Sequence, residues 1–123
     1  GSNYNVNKTT TMFVNYMNES GASTDLVYDT AADVANGTGD ARLFANFTTD
    51  ADESYVGWIE LWDPSSTTYV KNWTIKAQGM QSNPQSNIQY GSGYFNTTSA
   101  INALNFTPSA GTISGTIKLY GVI

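Results

Sequence analysis

Apolar and polar residues alternate in short runs along this chain, and almost nowhere do they recur at helical spacing. Over residues 10–16, Met12, Val14 and Tyr16 fall on one side. Residues 25–28 read as a short strand. Residues 30–40 carry Gly37 and Gly39 and read as a loop or a single helical turn. Over 42–48, Leu43, Ala45 and Phe47 alternate with Phe44 and Asn46. The clearest strand spans 55–62. Val56, Trp58, Glu60 and Trp62 face one way, and Tyr55, Gly57, Ile59 and Leu61 the other. A turn at Pro64 sends the chain back antiparallel over 69–78. Residues 79–93 are polar, hold Pro84 and Gly91, and read as a long loop with a short strand at 88–90. Two apolar runs follow, 100–106 and 116–123, separated by the breaker Thr107-Pro108-Ser109-Ala110-Gly111. In the second, Ile117, Leu119, Gly121 and Ile123 alternate with Lys118, Tyr120 and Val122. A stretch this apolar is expected to be zipped into a sheet. Seven or eight such strands predict an all-β fold, an antiparallel β-sandwich of jelly-roll type.

Composition sharpens this picture. Asn, Ser and Thr make up 41 of 123 residues, charged residues only 12%, and Tyr, Trp and Phe 13%. Aromatics and Thr favour strands, whereas Asn, Ser and Gly favour turns. The length suits one domain with a single core. Gly1-Ser2 reads as a cloning scar, so residues 3–123 are expected to be the C-terminal domain of a longer chain. No apolar run approaches the 18 residues of a membrane span, and no membrane insertion is expected.

The net charge of −5 argues against nucleic acid. Phosphate contacts need clustered Lys or Arg, and Lys8, Arg42, Lys71, Lys76 and Lys118 are scattered. With neither Cys nor His, the chain lacks the residues of thiol nucleophiles, Ser-His-Asp triads and the usual zinc sites. Asp50, Asp52 and Glu53 share one loop and are the single weak candidate for calcium; a solvated acidic turn is the plainer reading, and no cofactor is expected. Glu60 and Asp63 flank tryptophans, but nothing fixes the separation a glycosidase needs. No enzymatic role is expected.

The aromatics carry more weight. Sugars stack on Trp and Tyr faces, and rings with a polar tip also suit subunit interfaces. Trp58 and Trp73 are expected in the core. Trp62 and Tyr69, around the Pro64 turn, and Tyr90, Tyr94 and Asn96, in the polar region, are the candidate ligand-binding residues. Asn-X-Ser/Thr sequons at Asn7, Asn18, Asn36, Asn46, Asn72, Asn96 and Asn105 are expected by chance in so Asn- and Thr-rich a chain.

Two segments also carry a resemblance. Ser99-Ala100-Ile101 and Ala103-Leu104-Asn105-Phe106, followed by Ser109-Ala110-Gly111-Thr112-Ile113-Ser114-Gly115-Thr116-Ile117-Lys118-Leu119-Tyr120-Gly121, resemble the C-terminal signature of a family of tailed-bacteriophage virion proteins. The stretch from Trp58 to Tyr69, with Lys71, is similar to that family's strand, Pro-Ser-x-Thr-Thr-Tyr turn and return strand. The matches cover a little over half the chain. The resemblance implies a virion component, and three roles are weighed. The first is the distal, receptor- or glycan-binding domain of a tail fibre. The second is a capsid-decoration or other structural virion protein. The third is a carbohydrate-binding module of a bacterial enzyme. The resemblance favours the first two. Expected partners are a bacterial cell-surface glycan or protein receptor, or capsid proteins. Analogy with fibre ends implies a homo-oligomer, with a trimer favoured.

Overall fold

A computed structural model describes residues 4–45, 50–81 and 84–122. Its six strands are β1 (Lys8–Asn18), β2 (Thr24–Tyr28), β3 (Val34–Gly37), β4 (Ser54–Leu61), β5 (Lys71–Gln81) and β6 (Gln85–Phe95), with one 3-10 turn at Thr30–Ala32. All pairings are antiparallel and lie in one sheet, ordered β2-β1-β6-β5-β4, with β3 also pairing β1. The all-β antiparallel architecture is therefore as expected. The described strands occupy a single sheet, and they do not trace a jelly-roll path into a second one.

Alternation sorts the sheet into two faces. Lys8, Thr10, Met12 and Val14 of β1 are buried, as are Lys71, Trp73, Ile75 and Ala77 of β5 and Gln85, Asn87 and Gln89 of β6. Their neighbours in sequence point to the other side of the sheet. A core of Met12, Ala32, Trp73, Ile75 and Ala77 forms on this covered face, with Ala41, Leu43, Ile59, Leu61 and Phe95 packed around it. The 3-10 turn helps to dock the covering segment. Asp29 caps it through Ala31 N, and Thr10 Oγ1 donates to Ala32 O at 2.6 Å and accepts from Val34 N at 2.9 Å.

Much of the covered face is polar, and its groups are paired apart from the Trp73 indole Nε1, the one buried side-chain N or O atom among the described residues without a partner. Lys71 is fully buried and donates to Tyr69 O at 2.6 Å and to Thr97 O at 3.2 Å. Lys8 donates to Gly39 O at 2.7 Å and Thr38 O at 3.3 Å. Burial pushes the Lys8 amine below its ordinary value of 10.5, with the Asp40 charge opposing. The folded protein releases this proton before the unfolded chain does, so this group's contribution to stability rises with pH until 10.5 is passed. The stability of wild type minus that of a Lys8→Met variant should climb through this alkaline window and then level off. Denaturant melts of both proteins across the window check it; a flat difference would show that the amine titrates alike in the folded and unfolded states.

Three expectations fail here. The polar stretch 79–93 is not a long loop. Most of it belongs to β5 and β6, whose eleven residues pair in unbroken register, Lys71↔Phe95 to Gln81↔Gln85. Trp58 is not in the core; it is 56% exposed, because β4 turns Tyr55, Ile59 and Leu61 inward instead. The runs 100–106 and 116–122 form no strands, and residues 104–122 are exposed throughout. As the chain is arranged, they pair with none of its described strands. Of the expected strand 42–48, residues 42–45 form bends and a loop, while Asn46, Phe47 and Thr48 lie outside the described residues, as do Gly1, Ser2 and Ile123.

Candidate functional site: an aromatic row on the open face

The open face carries the side chains that β1, β2, β4, β5 and β6 turn away from the core. Register lines them up across the strands. Tyr28 pairs with Phe13, Phe13 with Tyr90, Tyr90 with Lys76 and Lys76 with Trp58. One transverse row therefore crosses five strands, spanning roughly 19 Å at the usual strand spacing. Phe13 and Tyr90 stack with centroids 5.2 Å apart and planes 23° apart. The Lys76 ammonium sits 5.1 Å from the Trp58 ring centre and 5.6 Å from that of Tyr90. Both distances lie within the range of cation–π attraction, so the amine tethers the two rings to one another. At the far end, the Tyr28 hydroxyl donates to the Asp33 carboxylate, with O···O distances of 2.7 and 2.8 Å. The rings are thus held in place before any ligand arrives.

A shallow groove of about 350 Å³ runs along this row, with Thr11, Thr74 and Ser92 supplying hydroxyls beside the rings. A second, of about 640 Å³, lies farther along the same face between Met17, Val56 and Met80. Neither is a deep cavity. An aromatic strip flanked by hydroxyls suits an extended ligand with apolar C–H faces and polar edges, such as a sugar chain.

The residues expected from sequence divide between this row and one end of the sheet. Tyr90 lies at the centre of the row, on strand β6 and not in a loop. Tyr94 is four residues on, roughly 13 Å away along the strand. Trp62 continues the β4 ladder through its amide, which donates to Asn72 O at 3.0 Å, and Asn72 is opposite Tyr94. Trp62 and Tyr94 therefore share a second, sparser row with Asn72 between them. Tyr69 is 70% exposed in the turn after β4, where its amide donates to Ser66 Oγ. Asn96 is tied into a turn contact, donating from Nδ2 to Asn36 Oδ1 at 2.9 Å. Tyr69 and Asn96 are not in the aromatic row. Asp50, Asp52 and Glu53 form a turn closed by Glu53 N to Asp50 O at 3.3 Å. Among the described residues, no group of three or more acidic side chains gathers as a metal would require.

Sequence reading missed Phe13, Tyr28 and Lys76, and it placed Trp58 on the wrong side of the sheet. The signal that unites them is register between strands, which no single stretch of sequence displays. No protein-family model, curated protein or solved structure matches this chain.

Proposed function

We propose that this domain is a non-enzymatic binding domain of a tailed-bacteriophage virion, the distal host-attachment part of a tail fibre or receptor-binding protein. Its ligand is a glycan of the bacterial surface, laid along the open face. The observation that carries this reading is the row on the open face, with Tyr28, Phe13 and Trp58 exposed and Tyr90 and Lys76 half-buried between them. The rings offer stacking faces, and the flanking hydroxyls offer polar contacts. The resemblance of 58–71 and 99–121 to phage virion proteins supplies the setting.

The test is binding of the labelled domain to whole bacterial cells, competed by free surface polysaccharide. Trp58→Ala and Tyr90→Ala should each weaken binding about tenfold, equivalent to about 1.4 kcal/mol. Tyr69→Ala, outside the row, should leave it unchanged. Binding that survives both row substitutions would remove the site from this face. The exposed apolar segment 104–122 favours a second reading, a structural or decoration protein of the capsid, which predicts binding to stripped phage heads and none to cells.

A further inference from the structure

The segment 102–122 and the outer edge of β4 are each incomplete in a way the other completes. No residue from 102 to 122 makes a hydrogen bond to another described residue. From Leu104 on its apolar side chains are exposed, Leu119 at 94% and Val122 at 97%. Yet 116–122 alternates as a strand does, and Gly111 is the single described residue of the segment at positive φ.

β4 ends the sheet. The bond from Trp62 N to Asn72 O sets the phase of its ladder. Val56, Trp58 and Glu60 share that phase and bond toward β5. The N–H and C=O groups of Gly57, Ile59 and Leu61 therefore point outward, where no described strand receives them. Eight residues long, free of proline and with one charge, this edge lacks the usual devices that keep a strand from pairing.

We propose that residues 112–122 of one copy of this chain add as a strand to the β4 edge of a second copy, with the exchange reciprocated. Three observations favour a second copy. Ile101 N donates to Pro64 O at 2.8 Å, which roots the segment beside the turn that closes β4. From that root, 21 residues at about 3.3 Å each reach roughly 70 Å, ample to cross to a neighbour's edge. The side chains also match. A strand with Ile117 and Leu119 on the covered side lies beside the half-buried Ile59 and Leu61. Lys118 then falls on the open side with Glu60, and both are exposed and make no ion pair with a described residue. Root and edge recur in every copy, so the exchange closes by rotation with no other protein.

Sedimentation equilibrium at micromolar concentration tests this. Wild type should be an oligomer. Leu119→Asp combined with Val122→Asp should give a folded monomer, since those side chains touch nothing in their own chain. Ile59→Pro, which deletes an outward N–H and no bond to β5, should also give a monomer; Leu26→Pro on the opposite edge strand should not. A mixture of the segment variant and the Ile59→Pro variant should form a two-chain species through the one intact junction. Should Ile59→Pro lose its near-ultraviolet dichroism, Glu60→Lys replaces it, weakening association at least tenfold, with Lys118→Glu restoring it. A monomeric wild type overturns the proposal, as does an oligomer indifferent to the segment or edge substitutions. The inference does not depend on what the aromatic row binds: a monomer that still binds glycan would overturn it alone.

Discussion

A Gly93→Ala variant should lose on the order of 3 kcal/mol of stability, the cost of forcing atoms into a filled core. A domain of this size would then melt roughly 10 °C lower. A Cβ at position 93 would lie 2.6 Å from Trp73 Cζ2 and 2.6 Å from Thr9 O. Neither can yield cheaply. Trp73 is buried against Phe95, with ring centres 6.3 Å apart, and Thr9 belongs to β1 inside the sheet. Either the indole leaves the core or the β1–β6 ladder opens. Gly91 obeys the same logic, since its Cβ would meet Ile75 Cγ2 at 2.7 Å. The control is Gly115→Ala, where no atom lies within 4 Å and no change is expected. Thermal unfolding followed by near-ultraviolet dichroism decides it; equal melting of wild type and Gly93→Ala would mean that Trp73 does not occupy the space this glycine leaves.

These glycines also show why part of the fold was hidden in the sequence. Gly91-Ser92-Gly93 reads as a loop by composition, because glycine and serine are the usual residues of turns. In the folded chain the two glycines sit inside a long strand, and their missing side chains make room for Trp73 and Ile75. Strands β1, β4 and β5 are legible because their apolar residues alternate over five or more positions, and β2 because Leu26, Val27 and Tyr28 form a short apolar run. Alternation does not say which face is inward, however. In β4 the alternation separates Val56 and Trp58 from Tyr55 and Ile59, and the expectation of a core Trp58 takes the wrong one of the two faces. The cover settles it, since Ala32, Ala41 and Leu43 pack on the side of Ile59 and Leu61. The aromatic row was half legible. Tyr90 was singled out for its polar neighbourhood, but Phe13, Tyr28 and Lys76 join it only through register. The apolar runs 100–106 and 116–122 have strand-like sequences and no strand partner in their own chain. Local pattern fixes the capacity to pair and leaves the partner undetermined.

Gln89→Leu should be the most damaging polar-to-apolar change in the domain, costing roughly 4 kcal/mol although the two side chains are similar in size. Gln89 has no exposed surface. Its Oε1 accepts from Ala45 N at 2.7 Å, and its Nε2 donates to Ala45 O at 3.3 Å and to Asn87 Oδ1 at 3.1 Å. Asn87 in turn donates to Gln81 Oε1 at 3.1 Å. A chain of buried amides thus ties the covering segment at Ala45 to strands β6 and β5. Leucine would leave the Ala45 amide with no acceptor in an almost fully buried position, and Asn87 Oδ1 without this donor. Each buried polar group left unpaired costs about 1–3 kcal/mol, which outweighs the gain from an added apolar side chain. The Tyr55 hydroxyl also donates to Ala45 O, at 3.3 Å, so one anchor would persist. The loss should therefore appear first as local opening, with the Ala45 amide exchanging with solvent far faster than amides in the β5–β6 ladder. Hydrogen exchange at Ala45 together with a denaturant melt reads both effects. Wild-type protection in the variant would mean that the covering segment is held by its apolar contacts and not by these amides.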